Sequence, residues 1–242
     1  MKDVLARIFA LWAMIVFIVT MIPVVIIMWI IGLVNEPKRT RIFRITSKIW
    51  MQVFFFLSGC RLKVIGKEHF AKGQIYIVIS NHNSLMDVPL TTPFIPGPNK
   101  TIAKVEMSKI PVFGLIYKRG SILVDRLNKN SRQQSFKLMK DVLKMEMHVC
   151  IYPEGTRNKT ELPLKAFHDG AFRLAVETGT PIIPTLLFNT KKVLPPGKVF
   201  FFWPSKMELH FLSPVLINTK DNYEAIKEKI YLLMTEYYAG NQ

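Results

Sequence analysis

Apolar residues in this chain fall into runs of different lengths, and each length predicts a different element. The longest, Ile8 to Val34, contains no charged residue; as one helix it would be roughly 40 Å long, against a hydrocarbon core of about 30 Å. Short runs rich in β-branched and aromatic residues recur near 75–80, 121–125, 147–152, 182–188, 199–203 and 207–212 and predict strands. Two of them, Gln74 to Ser80 (QIYIVIS) and Met147 to Tyr152 (MHVCIY), read as buried strands. Helix-like stretches pass through Leu138 and Ala175, and Lys220 to Tyr238 reads as a closing amphipathic helix.

Pro23 interrupts the long apolar run near its middle, so a bent segment that enters one leaflet and returns is allowed as well as a span. A signal peptide fits less well, because the run is too long and Asn35-Glu36-Pro37-Lys38 offers no small-residue cleavage site. Beyond Pro37 the segment Lys38 to Ser58 carries Lys38, Arg39, Arg41, Arg44 and Lys48 in its first half and Trp50, Val53, Phe54, Phe55, Phe56 and Leu57 in its second. That order suits an interfacial helix with basic residues at anionic headgroups; the alternative is a helix packed on the protein core. Residues 1–59 are therefore expected to anchor the chain to a membrane and residues 60–242 to form one domain, with the Lys and Arg excess placing that domain on the cytoplasmic side.

Composition narrows the partners. Thirty-three Lys and Arg against 17 Asp and Glu give a formal charge of +16 over 242 residues, which calls for an anionic partner. No nucleic-acid-binding motif is present, and 50% hydrophobic content with an apolar N-terminal run favours anionic membrane lipid over nucleic acid. Cys60 and Cys150 lie far apart, without disulfide or zinc spacing, and read as buried thiols. No metal-ligand cluster and no Gly-rich nucleotide cradle occurs, so neither metal nor cofactor is expected.

Two polar clusters follow the buried strands directly: Asn81-His82-Asn83-Ser84-Leu85-Met86-Asp87 and Tyr152-Pro153-Glu154-Gly155-Thr156-Arg157. Ligands of open α/β sheets bind beyond the carboxyl ends of strands, so both clusters are placed for chemistry. His82 is the strongest general-base candidate among five histidines, with Asp87 five positions on to fix its tautomer. Ser84 to Asp87 equally fits a capping box, with Ser84 as N-cap. Gly155 lets backbone amides approach a ligand and Arg157 can fork onto phosphate oxygens, although such a pattern also suits a tight turn with a surface arginine. Arg126, after Gly120-Ser121-Ile122-Leu123-Val124-Asp125, and Lys104 are either further anion contacts or solvated strand ends. Ile183 and Pro184 are either an apolar wall for a lipid chain or plain core.

Together the His-X4-Asp, Gly-Ser-Ile-Leu-Val-Asp-Arg, Tyr-Pro-Glu-Gly-Thr-Arg and Pro-Ile-Ile-Pro segments, in this order, resemble the four blocks of the glycerolipid acyltransferase family over roughly Ile75 to Asn189. The resemblance implies an α/β fold with a mixed, largely parallel sheet flanked by helices, preceded by a two-helix membrane motif. It also implies that His82, oriented by Asp87, takes the proton of a lysophospholipid hydroxyl as that hydroxyl attacks the thioester of acyl-CoA or acyl-carrier protein. By the same resemblance Arg126 and Arg157, helped by Lys104, hold the acceptor phosphate, and Glu154, Gly155 and Thr156 shape its pocket. Lysophosphatidate is the leading acceptor; glycerol-3-phosphate and a lyso-ornithine lipid are alternatives. Family members often carry Phe-Lys-X-Gly after the third block, where this chain has Phe167-His168-Asp169-Gly170, with Lys165 near enough to compensate. A lipid-ester hydrolase is disfavoured by the lack of a Gly-X-Ser-X-Gly elbow, and a non-catalytic membrane-binding module is the remaining class.

Overall fold

A computed structural model describes residues 1–241. Seven strands form one sheet: β1 (Arg61–Ile65), β2 (Ile77–Ser80), β3 (Asn99–Lys104), β4 (Ser121–Val124), β5 (His148–Ile151), β6 (Ile182–Phe188) and β7 (Lys206–Phe211). Their spatial order is β1-β7-β6-β2-β5-β3-β4. Every pair is parallel except β6 with β7, as the mixed, largely parallel reading expects. The central strands β2 and β6 are buried at every position. Continuous apolar runs such as Ile77-Val78-Ile79 follow from that, since both faces of a parallel sheet are covered.

The two covering layers have different origins. On one side α5 (Lys129–Lys144), α6 (Gly170–Thr178) and α8 (Tyr223–Ala239) pack through Met139, Val142, Phe172, Leu174 and Ile230 onto Ile77, Ile79, Val149 and Ile182. On the other side the N-terminal helices α1 (Lys2–Ile30) and α2 (Lys38–Leu57), with α4 (Phe113–Gly120), cover Val78, Cys150, Ile183 and Leu187. The expected boundary between residues 59 and 60 therefore does not separate two cores. Met28, Phe43, Trp50, Met51, Phe54 and Phe55 share one hydrophobic cluster with the sheet.

α1 is long and apolar enough to cross a membrane, yet it lies along the domain. Ala6, Ala10, Ala13, Val16, Val24 and Met28 form its buried stripe, while Val4, Ile8, Ile15, Ile22 and Ile26 stay exposed on the other side. Helical spacing puts the first set on one face. Both ends touch the domain: Phe202 N–H donates to Ala6 O (3.2 Å) and Arg119 Nε–H to Met28 O (3.3 Å). At the turn between the helices, the Glu36 carboxylate accepts from Arg39 (2.8 Å) and from the Thr40 hydroxyl (2.7 Å), and pairs with Lys100 of β3 at 3.0 Å. Burial opposes the Glu36 charge, but Thr40, Lys100 and Arg39 outweigh it and hold the carboxyl down at about 2.

One sequence expectation changes and two strands are added. Residues 199–203 were expected to pair as a strand, but they form an irregular loop between α7 (Thr190–Val193) and β7. β1 and β3 were not anticipated, because Arg61-Leu62-Lys63-Val64-Ile65 and Asn99-Lys100-Thr101-Ile102-Ala103-Lys104 carry lysines within the strand. Lys100 is nevertheless buried, since its ammonium reaches Glu36 and the Arg119 carbonyl.

Candidate active site

The pairing of β2 with β5 brings the two polar clusters together. Ile79 lies opposite Ile151 in parallel register, so the chain leaves both strands in the same direction and the two loops emerge side by side. The His82 backbone N–H donates to Glu154 Oε1 (2.7 Å), and Asn158 N–H donates to His82 O (2.6 Å).

His82 Nδ1 lies 2.8 Å from Asp87 Oδ2. Asp87 is fully buried at the start of α3 (Asp87–Thr91), and the same oxygen accepts from the backbone N–H groups of Asn83 (2.5 Å) and Ser84 (2.7 Å). The bond to Ser84 N–H is the return contact of a capping box, so capping and orientation of His82 are one arrangement. The Ser84 hydroxyl makes the forward contact, accepting from Met86 N–H (3.2 Å), and donates to Leu194 O (2.7 Å). With a carboxylate as acceptor, Nδ1 carries the proton and the Nε2 lone pair is left to accept one. Nε2 has no hydrogen-bond partner among the described residues, and the His82 side chain keeps 18% exposure. His148, by contrast, is spent in the core, accepting from Tyr76 N–H (3.0 Å) and donating to Pro96 O (2.8 Å), with burial pushing its pKa down to about 4.

Glu154 was expected to shape the acceptor pocket. Its carboxylate instead brackets the loops: Oε1 takes the His82 N–H and Oε2 the Lys165 N–H (3.0 Å), and the residue is 2% exposed. Burial pushes its pKa up while the two N–H groups pull it down, and burial prevails.

Tyr152 packs against the His82 ring. Its ring centroid is 4.6 Å from that of His82. Its hydroxyl donates to Thr91 Oγ1 (3.1 Å), which donates to the Asp87 carbonyl (2.7 Å). Burial pushes this phenol well above its ordinary pKa, so it remains a donor. Tyr152→Leu is expected to lower kcat by roughly tenfold or more by freeing the imidazole to tilt, while Tyr152→Phe, which keeps the ring, loses less. Equal losses in both variants would shift the weight from the ring to the hydroxyl.

The rim is cationic. Arg157 is half-buried and has neither an ion pair nor a hydrogen bond to its guanidinium among the described residues. Thr156 is exposed and accepts from Lys165 Nζ (2.7 Å). Gly155 adopts φ +69°, and a Cβ there would lie 2.8 Å from the His168 ring. His168 thus lies against the glycine, while Lys165 reaches the same turn. Lys104 and Val124 are register partners at the carboxyl ends of β3 and β4, so Arg126, two residues past β4, belongs to that sheet edge too. Arg126 is half-buried with its guanidinium unpaired, and burial lowers its pKa. Lys104 is exposed and pairs with Glu106 at 3.0 Å.

Beside this loop cluster opens an apolar cavity of about 570 Å³. Leu85, Met86 and Val88 line it near His82, Phe17, Trp50 and Phe54 come from the N-terminal helices, and Ile116 and Phe202 complete its walls. Ile183 and Pro184, considered as such a wall, do not line it. They lie inside β6, paired with Val78 and Ile79 and buried in the core. Sequence reasoning did not assign roles to Tyr152, Thr91 or Asn158, nor to the hairpin residues of the cavity. For Tyr152 the signal was its place next to Pro153-Glu154, directly opposite the His82 loop.

An imidazole held by a buried aspartate at the carboxyl edge of a largely parallel sheet, with an arginine and an apolar cavity alongside, is an arrangement suited to general-base chemistry on an amphiphile. The acyltransferase family model matches residues 61–187, and the chain belongs to this family. It is similar to the 1-acyl-sn-glycerol-3-phosphate acyltransferase of Saccharomyces cerevisiae, 31% identical over 194 residues that cover 77% of this chain and 62% of the relative. The alpha form of that enzyme from Mus musculus is 31% identical over 182 residues, covering 72% of this chain and 62% of the relative. The chain thus spans less than two thirds of the length of these curated relatives. In fold it resembles the crystal structure of the 1-acyl-sn-glycerophosphate acyltransferase of Thermotoga maritima, with a TM-score of 0.83 at 22% identity over 99% of this chain and 97% of that one.

Proposed function

We propose that the protein transfers a fatty acyl group from a thioester donor, acyl-CoA or acyl-carrier protein, to the free hydroxyl of lysophosphatidate, giving phosphatidate. The observation that carries this reading is the His82–Asp87 pair, 2.8 Å apart with Nε2 open, beside the unpaired Arg157. The names of the relatives support the acceptor. As the hydroxyl oxygen attacks the thioester carbonyl carbon, its proton passes to His82 Nε2. The C–S bond then breaks, and the thiolate takes that proton as it leaves. No acyl-enzyme and no cofactor takes part. Arg157 and Arg126, with Lys104 further out, hold the phosphate, and the apolar cavity takes an acyl chain.

The same reading puts the protein on a membrane through α1 and α2. A helix held against the domain at Ala6 and at Met28 suits a hairpin lying in one leaflet better than a span. The basic residues of α2 favour the anionic cytoplasmic face. Because the hairpin is part of the core, the test is substitution of its exposed face and not its deletion.

The deciding experiment offers lysophosphatidate, glycerol-3-phosphate and a lyso-aminolipid separately, each with acyl-CoA and acyl-carrier protein. Phosphatidate formation is expected. Transfer only to another acceptor would reassign the substrate, and no transfer at all would favour the membrane-binding module. Arg157→Ala is expected to raise the acceptor KM by roughly 10- to 100-fold, the worth of a charge-assisted hydrogen bond. An unchanged KM would remove Arg157 from the phosphate site.

A further inference from the structure

The loop between α7 and β7 has a feature that catalysis does not use. Lys198-Val199-Phe200-Phe201-Phe202 form no strand, although the run is as apolar as any strand of the sheet. Val199 is 90% exposed and Phe200 45%. Phe200 is held at φ +52°, a region that costs a non-glycine residue free energy. The loop is nonetheless anchored on both sides of its tip: Trp203 N–H donates to Val193 O (3.0 Å), Phe202 N–H to Ala6 O (3.2 Å), and Lys198 approaches Asp3 at 3.7 Å. Apolar side chains are thus held in solvent by a fixed frame.

The surroundings identify what covers them. The loop is seated on the first turns of α1, whose Val4, Leu5 and Ile8 are themselves exposed. Lys2 and Lys198 flank the tip: Lys2 Nζ lies 5.3 Å from the Trp203 ring centre and Lys198 Nζ 4.7 Å from that of Phe201. An apolar tip with lysine and tryptophan at its base is the composition of an element that enters a lipid interface from the aqueous side. Lys198 to Phe202 also line the apolar cavity, as does Leu85, which is 55% exposed only three residues from the base.

We infer that the tip Val199–Phe201 inserts into the acyl layer of an anionic bilayer, as a second membrane contact separate from the hairpin, and sets the rim of the cavity within the lipid. A substrate acyl chain then passes from bilayer to cavity without crossing water. The inference rests on the membrane reading given above, and the two can be tested apart.

Cys60 and Cys150 are buried, so a single introduced thiol takes a label selectively. Val199→Cys carrying an environment-sensitive nitrobenzoxadiazole is mixed with vesicles of phosphatidylglycerol and phosphatidylcholine. Its emission is expected to shift to the blue and to be quenched by doxyl groups on lipid chains. The same label at Ile22→Cys, on the exposed face of α1, should respond likewise, and at Lys144→Cys on α5 it should not. Response at 22 without response at 199 would overturn the inference and leave the membrane reading intact; no response at either would overturn both. A blue shift at 199 that appears with rising protein concentration and no vesicles would assign the tip to self-association instead. Since Val199 is exposed, Val199→Asp should fold, and its partitioning onto vesicles is expected to weaken by roughly tenfold. Unchanged partitioning together with a silent label would close the question against insertion.

Discussion

Replacing His82 by alanine is expected to reduce the rate of acyl transfer by about 10²–10⁴-fold, the usual worth of a positioned base. Vesicle binding and the thermal unfolding midpoint should change little. Among the described residues the His82 side chain makes one hydrogen bond, to Asp87, and the loop is held by its backbone: its N–H donates to Glu154 and its C=O accepts from Asn158. Those backbone bonds survive truncation of the side chain. Asp87 differs, because the same oxygen that orients His82 also takes the N–H groups of Asn83 and Ser84. A loss of fold in His82→Ala would show that the imidazole is part of the scaffold, and retained transfer would remove it from the chemistry.

The second large effect is expected at Glu154. Glu154→Ala strands two half-buried N–H groups, those of His82 and Lys165, at up to about 1–3 kcal/mol each, and a midpoint lowered by several degrees should follow. Glu154→Gln keeps the shape but turns an amide donor toward one of the two N–H groups, so it should also be damaging. In either variant the base loses its lateral support, and displacement on the scale of about 1 Å can cost roughly 10²-fold in rate. The readout that separates a bracket from a substrate contact is the kinetic split. A bracket lowers kcat and stability together with a modest change in acceptor KM. A rise in KM alone, with stability intact, would return Glu154 to the acceptor pocket as first expected from the sequence.

Much of the site was legible because its chemistry is local in the chain. His82 and Asp87 are five residues apart, and the strands before each cluster announce themselves by continuous apolar runs that only a sheet covered on both faces requires. The loop at 199–203 misled the reading for the opposite reason. Periodicity reports burial, and Phe202 is indeed buried, but against α1 and the cavity and not in a strand pair. Likewise β3 was hidden by Lys100, whose charge is compatible with the interior only because Glu36, 64 positions earlier, meets it there.

By itself the sequence determined the long apolar N-terminal helix, the largely parallel α/β class, the pairing of His82 with Asp87, and the arginines and lysines at the strand ends. Each of these is written in residue type and short-range spacing. Tertiary structure alone decided that the N-terminal helices form a layer of the core, that the apolar cavity lies between them and the His82 loop and not at Ile183 and Pro184, and that Glu154 joins two loops. These depend on which strands become neighbours. Parallel pairing of β2 with β5 sets residues about 72 positions apart within hydrogen-bond reach, a juxtaposition that no local pattern encodes.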